Sequence, residues 1–256
     1  MPPIHESAAV GFSAEADTYA RGRPDYPDAL IDWLRQPLGV MPGAAVVDLG
    51  AGTGKFTRLL TRTGASVCAV EPVAAMREAL ARELPEVPAL PGTAEAIPLP
   101  DASVQAVVCA QAFHWFASVE ALAEIHRVLA PQGRLGLVWN VRDESVDWVA
   151  AISRIMAPFE TETPRHHRGE WREPFARSAL FTLPEPSSFA YAHVGPPRVV
   201  VMDRMLSVSF IAALPDAEKA AVKAQLEALI QDHPALRGKD TVAFPYRTDA
   251  YACTRR

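Results

Sequence analysis

The stretch "VVDLGAGTGKFTRLL", Val46 to Leu60, decides the fold. An apolar, β-branched run carries an acid near its end, three glycines follow in the next few positions, and a helical pattern begins at once. Such a strand–turn–helix unit offers backbone N–H groups and a helix N-terminus to a nucleotide. The dinucleotide pattern G-x-G-x-x-G is not met, because Gly50-Ala51-Gly52-Thr53-Gly54 leaves Lys55 where the third glycine belongs. Asp48, two positions before the first glycine, disfavours a nearby pyrophosphate and suits a ligand with an ammonium or sulfonium charge. Glu71 closes the next apolar run, 17 residues beyond Gly54. That is close to the roughly 20-residue separation at which a carboxylate accepts hydrogen bonds from ribose hydroxyls. An adenosine with a positively charged amino-acid arm satisfies both acids.

Working outward, strand and helix patterns alternate from Ala44 to Asn140. Strands are expected at Ala44–Leu49, Ser66–Val70, near Val87–Leu90, at Val104–Ala110 and at Gly133–Asn140, and helices at Gly54–Arg62, Val73–Leu84 and Ser118–Leu129. Short apolar strands separated by helices imply a parallel sheet covered on both faces. The expected fold class is therefore α/β: a Rossmann-like, doubly wound, seven-stranded sheet, mostly parallel with an antiparallel last strand. After Asn140, helical pieces at about Val146–Pro158, Arg198–Ala213 and Asp216–Asp232 lie between proline-rich turns such as "LPEPSS" and "VGPPR". Strand-like stretches at Ser188–Val194 and Thr241–Cys253 flank them and are expected to complete the sheet as an antiparallel pair, with the helices between forming a cap. Ahead of the first strand, "FSAEADTYARGRPDYP" is either an amphipathic helix with a Pro-broken linker or a lid.

At 256 residues, one α/β domain with an insertion and two small domains are both open. The preferred division is a single domain over 1–256: a lid at 1–27, a cofactor-binding core at 44–140, a helical cap at 145–240 with its strand near 188–194, and a last strand at 241–253. With 25 Lys and Arg against 30 Asp and Glu, the formal net charge is −5, which gives no electrostatic footprint for nucleic acid or an anionic membrane. Three scattered cysteines, Cys68, Cys109 and Cys253, indicate neither a disulfide framework nor a metal cluster. No run of about 18 apolar residues and no basic leader is present, so a cytoplasmic protein is expected.

"VVDLGAGTG", then "VEP" with a Met four residues after the Pro, then "GTAEAIPLPDAS" before an apolar strand, resembles the class I S-adenosylmethionine-dependent methyltransferases. "FSAEADTYARGRPDYP", "AQAFHWF", "EIHRVLAPQGRLGLVWN" and "PYRTDAY" resemble, within them, the methyltransferase type 11 and trans-aconitate methyltransferase-like branch. The resemblance implies S-adenosyl-L-methionine as cofactor, with Asp48, Gly50, Ala51, Gly52 and Gly54 along its methionine arm, Glu71 and Pro72 at the ribose, and Met76 against the adenine. Thr93, Ala94 and Glu95 would follow the adenine edge. Thr93 stands where the family more often has Asp, and Gln105 is a second departure, expected to affect structure more than ligand contact. Simpler readings exist: Glu71 as a solvated strand-end charge, Met76 as core.

In an open α/β sheet, ligands sit off the carboxyl ends of the strands. Gln111, Phe113, His114 and Trp115 are therefore expected near the methyl group, Gln111 touching cofactor and the three rings facing the acceptor. His114 is either a general base or a wall residue that orients Gln111 or the cofactor. Tyr19 is a lid residue with a catalytic or substrate-binding role, and Arg23 would bind a substrate carboxylate. "RHHRGEWR", Arg165–Arg172, is either a solvated basic turn or an anion-binding part of the cap, and no metal is assigned.

The expected activity is methyl transfer to O, N or C of a small-molecule metabolite by a monomer or homodimer that binds neither nucleic acid nor membrane. The alternatives are a cyclase-like enzyme that uses S-adenosylmethionine without methylating, and a regulatory module that holds the cofactor without turnover.

Overall fold

The computed structural model describes residues 23–160 and 164–256. The lid segment, including Tyr19, lies almost wholly outside the described residues. The described residues divide into two compact units: residues 26–140, 164–189 and 248–256 form one, and residues 23–25, 141–160 and 190–247 form the other. The chain passes between them inside three of its strands.

The larger unit opens with helix α1 (Leu30–Arg35) and strand β1 (Ala45–Leu49), followed by α2 (Lys55–Thr61), β2 (Ser66–Val70), α3 (Ala74–Glu83) and β3 (Ala89–Leu90). β4 (Val104–Ala110), α4 (Val119–Val128) and most of β5 (Leu129–Arg142) complete the alternating part. The same unit takes in α6 (Glu173–Arg177), β6 (Phe181–Thr182), the start of β7 (Ser187–Gly195) and the end of β8 (Val242–Arg255). Strand order is β3-β2-β1-β4-β5-β8-β6, with β7 also paired to β8. β1 runs parallel to β2 and β4, as β4 does to β5, and β6 runs antiparallel to β8. The direction of the sequence reverses between β1 and β4, the switch point at which such sheets bind nucleotides.

These elements form where the local chemistry asks for them. β1 and β4 are β-branched runs buried on both faces, as a covered parallel sheet requires. α4 is started by Ser118, whose side chain accepts from the Ala121 amide at 3.0 Å, and it buries Ala121, Leu122, Ile125 and Val128 as one stripe. Gln105 acts structurally: its Oε1 accepts from the Ala45 amide at the start of β1. The core beneath β1, β2 and β4 is built from Val46, Ala69, Leu60, Leu80, Ala106 and Val108.

In the smaller unit, α5 (Asp147–Met156) packs with α9 (Asp216–Asp232) around Trp148, Ile152, Val201, Met205, Val222, Leu226 and Phe244. α9 begins just after Pro215 with Asp216 and Glu218 in its first turn, which complements the helix dipole.

Several expectations need correcting. Among the described residues the sheet has eight strands rather than seven; β6 is only two residues long and leaves no periodicity to detect. β5 starts at Leu129 because α4 turns into it without a loop. The expected helix over Arg198–Ala213 is a π-helical segment (Arg198–Asp203) followed by α7 (Arg204–Leu206) and α8 (Ser209–Ala212). Among the described residues no helix is long and apolar enough to cross a membrane.

Candidate functional site

Three adjacent strands of the larger unit bring the predicted acids and amides to one rim. Asp48 lies next to the last residue of β1, Glu71 immediately follows β2, and Gln111 immediately follows β4. The glycine turn closes over this rim, with the Gly50 amide donating to the Val70 carbonyl at 2.8 Å and Gly54 to Ala51 at 3.0 Å.

The glycines do different work. A Cβ on Gly50 would sit 2.8 Å from the Ala112 Cβ, so its absence lets β1 and β4 end side by side. A Cβ on Gly52 would meet only the Met76 Sδ, at 3.8 Å. Gly54 has φ +85°, and the space for a side chain there is filled by Leu80 and Leu84. The close helix packing that the dinucleotide fingerprint assigns to a glycine one step later is met here by Gly54, not by a ligand approaching it.

Asp48 is buried, and its Oδ2 accepts from the Thr57 hydroxyl at 2.6 Å while Oδ1 has no partner. Burial pushes its carboxyl up from 3.8 to about 7; the Thr57 hydrogen bond opposes this and the Glu71 charge adds to it. Glu71 is also buried, with Oε2 accepting from Gly52 and Oε1 from Val73, both at 2.9 Å, so it is not a solvated charge. Desolvation raises its pKa as well, against the pull of those two amides and of Arg77. Arg77 donates to the Glu71 and Pro72 carbonyls and fixes the turn after β2. Met76 is buried with its Sδ toward Gly52, Ala94 is buried, and Glu95 is half-buried. Thr93 is buried with its hydroxyl unpartnered.

Those atoms fit S-adenosylmethionine. The Asp48 Oδ1 can take the ammonium of the methionine arm, and the Glu71 carboxylate has two accepting positions left for ribose hydroxyls. The Thr93 hydroxyl can hydrogen-bond the adenine edge in place of the more usual Asp. Ala51 supplies only backbone.

Gln111 has φ +57°, unusual for a residue with a side chain, and its Nε2 donates to the Asn140 carbonyl at 3.1 Å. Beyond it, the 3₁₀ turn Phe113–Trp115 carries the three predicted rings. Phe113 corrects its expected role. It is fully buried against Phe116, Trp171 and Phe175, so it forms the floor of the site and does not face an acceptor. His114 and Trp115 are half-buried with their rings 5.3 Å apart. His114 is held in place by a ring of β5. The Trp139 indole N–H donates to its Nδ1 at 3.1 Å, which leaves the neutral ring with its proton on Nε2.

Residues missed in the sequence surround this turn. Trp139 on β5 packs on Trp171 with centroids 4.6 Å apart, and His166 stacks on Trp139 at 4.5 Å. The Arg172 guanidinium lies 4.4 Å over Trp171 and donates to the Tyr251 hydroxyl at 3.0 Å. Within "RHHRGEWR", His167, Arg168, Glu170 and Arg172 are exposed, while Trp171 is buried in the unit that holds the glycine turn. Arg23 belongs to the other unit, where its Nη2 donates to the Ser207 carbonyl at 3.1 Å. Among the described residues no group of three His, Cys, Asp or Glu could hold a metal ion.

A rim of this kind, with acids on two neighbouring strand ends about a glycine turn and a buried hydroxyl at the third, defines a nucleoside-binding α/β enzyme. The methyltransferase-domain family matches residues 47–137, the segment that builds it. A methyltransferase-like protein of Schizosaccharomyces pombe is 35% identical over 94% of each chain. An uncharacterized methyltransferase of Mycobacterium tuberculosis is 37% identical over 94% of this chain and 93% of its own. Among solved structures, a candidate type II methyltransferase from Anaeromyxobacter dehalogenans shares the fold with a TM-score of 0.68 at 23% identity, covering 91% and 97% of the two chains. The chain belongs to the S-adenosylmethionine-dependent methyltransferase family. It is an enzyme, and S-adenosylmethionine is its cofactor.

Proposed function

We propose that the chain methylates an O, N or C atom of a small-molecule metabolite. The observation that carries this reading is the aromatic wall beyond Gln111. Half-buried Trp115 and His114 follow Gln111, and the His114 imidazole is oriented by the buried Trp139 indole. When bound, S-adenosylmethionine supplies an electrophilic methyl group on a sulfonium. The residues of this chain then have three tasks. Asp48, Glu71, Thr93 and Met76 fix the cofactor; the aromatic residues exclude water and favour a cation beside them. His114, held by Trp139, donates from Nε2 to an acceptor heteroatom or carboxyl and orients it. The acidic overall charge also favours a small substrate over a nucleic acid.

The test is turnover of the purified chain with S-adenosylmethionine and a broad metabolite panel, read by mass spectrometry. The expected products are adenosylhomocysteine and an acceptor heavier by one CH2. Methylthioadenosine instead would establish the cyclase-like alternative, and cofactor binding without any turnover would establish the regulatory one. With an acceptor in hand, His114→Gln, which keeps a donor, should retain kcat/KM within about tenfold, whereas His114→Leu should lose about a hundredfold. Equal losses in the two variants would count against the donor role.

A further inference from the structure

Within the larger unit, one buried hydroxyl is directed differently from its neighbours. Thr57 lies on α2 and is fully buried, alongside the buried Phe56, Leu59 and Leu60. A threonine in a helix commonly returns its hydroxyl proton to a carbonyl one turn back. The next two threonines of the chain do this: Thr61 donates to the Arg58 carbonyl at 2.9 Å, and Thr63 to the Leu60 carbonyl at 2.6 Å. The Thr57 Oγ1 instead donates to the Asp48 Oδ2 at the end of β1, at 2.6 Å. Among apolar neighbours a methyl would pack as well as a hydroxyl, and a buried hydroxyl costs free energy unless it is bonded. The presence of a hydroxyl here therefore turns on Asp48.

The bond has two effects on that acid. Among the described residues Thr57 is the only side chain hydrogen-bonded to Asp48, whose Oδ1 is buried without a partner. Fixing one oxygen of a planar carboxyl fixes the direction of the other. A donated proton also favours the carboxylate over the neutral acid. Burial and the Glu71 charge act against it. The other neighbours offer little relief. Arg77 donates to the Glu71 and Pro72 carbonyls, Arg58 on α2 pairs with Glu83, and on the β4 side the Cys109 thiol is held uncharged by burial.

We propose that Thr57 is a positioning residue for cofactor capture: by holding the Asp48 Oδ2 it favours the ionised acid, aims Oδ1 at the ammonium of the amino-acid arm, and so sets the lower end of the pH range in which the chain takes up its cofactor. This role rests on the contact between Asp48 and the ammonium that the fit of the site supports. Thr57 itself touches no ligand; it acts through the acid.

The test is calorimetric titration of the full chain with adenosylhomocysteine, which carries the same ammonium arm, at pH 6, 7 and 8.5. It is repeated for Thr57→Val, Thr57→Ala and Thr57→Ser, each compared with the unaltered chain at the same pH so that the ligand's own ionisation cancels. The valine and alanine variants should bind about tenfold more weakly at pH 6 and within about twofold at pH 8.5, as expected of an acid that ionises about one pH unit later. Serine keeps the hydroxyl and should stay within about twofold throughout. A valine methyl would press on Oδ2, so alanine keeps the test open should the valine chain fail to fold. The same deficit at all three pH values would make Thr57 a packing residue and overturn the proposal, as would a serine variant as impaired as alanine. An unaltered chain whose affinity does not rise between pH 6 and pH 7 is a different result: it would strike the Asp48–ammonium contact itself, and the role of Thr57 with it.

Discussion

At the residue scale, Asp48 is the group whose ionisation matters most. Its carboxyl titrates near neutrality in the ligand-free protein because burial outweighs the Thr57 hydrogen bond. The folded chain thus keeps a proton that the unfolded chain gives up between about pH 4 and about pH 7. The folded pKa is raised, so this group makes the fold less stable as pH climbs through that window, by on the order of 4 kcal/mol for a displacement from 3.8 to about 7. A cationic ligand reverses the preference, since an ammonium beside the unpartnered Oδ1 favours the carboxylate. S-adenosylmethionine affinity should therefore rise from about pH 6 to about pH 8, and binding at pH 7 should release a fraction of a proton, seen as a buffer-dependent heat in calorimetry. Asp48→Asn should flatten both profiles while lowering affinity. A pH-independent affinity in the unaltered protein would remove Asp48 from the ligand's charge partners. Nearby, burial and the Asp48 charge push the Cys109 thiol well up, so that sulfur is a packing atom and not a nucleophile.

At the scale of elements, the site is held by packing that touches no ligand. Gly54 combines a left-handed backbone with a Cβ position only 2.9 Å from the Leu80 Cγ, where α2 leaves the glycine turn. Gly54→Ala should cost about 2 to 4 kcal/mol from conformation and overpacking together. Gly39 shares the backbone conformation, with φ +68°, but has nothing within 4 Å of its Cβ position, so Gly39→Ala should cost only about 1 kcal/mol. Urea midpoints for the pair separate the two causes; equal shifts would mean that Leu80 yields. α4 plays a similar supporting part. Arg127 donates to the Leu99 and Ile97 carbonyls, and Glu124 accepts from the Ile97 amide, fastening the loop that follows Thr93. The glycine turn and its acids could be foreseen because their signal is local: strand, glycines and acids fall within one short run. The aromatic wall could not, since Trp139, Trp171 and Tyr251 come from three distant segments and each resembles an ordinary core residue. The positive φ of Gln111 has no sequence signature at all.

For the whole molecule, the chain crosses between its two units at residues 25/26, 140/141, 163/164, 189/190 and 247/248. Three of these crossings fall inside β5, β7 and β8, so each unit takes part of each of those strands. Thermal unfolding is expected as one transition. Adenosylhomocysteine at a hundred times its Kd should shift that whole transition by about 2.7 kcal/mol, or roughly 5 to 10 °C for a chain of this size. Two transitions, of which only one moves with ligand, would show that the units melt separately. The helical unit was legible only as amphipathic pieces. The π-helical segment over Arg198–Asp203 breaks the periodicity by which a helix is recognised.

The stacked indoles have an optical consequence. Three of the five tryptophans, Trp115, Trp139 and Trp171, sit in one aromatic cluster with His114 and His166, and two of them are 4.6 Å apart. Rings so close couple their electronic transitions, so the near-ultraviolet circular dichroism of this protein should carry a split band from that pair. Its emission should be partly quenched by the adjoining imidazoles. An acceptor arriving beside Trp115 would disturb both signals, which gives the enzyme an intrinsic spectroscopic reporter of its own occupancy without any added label.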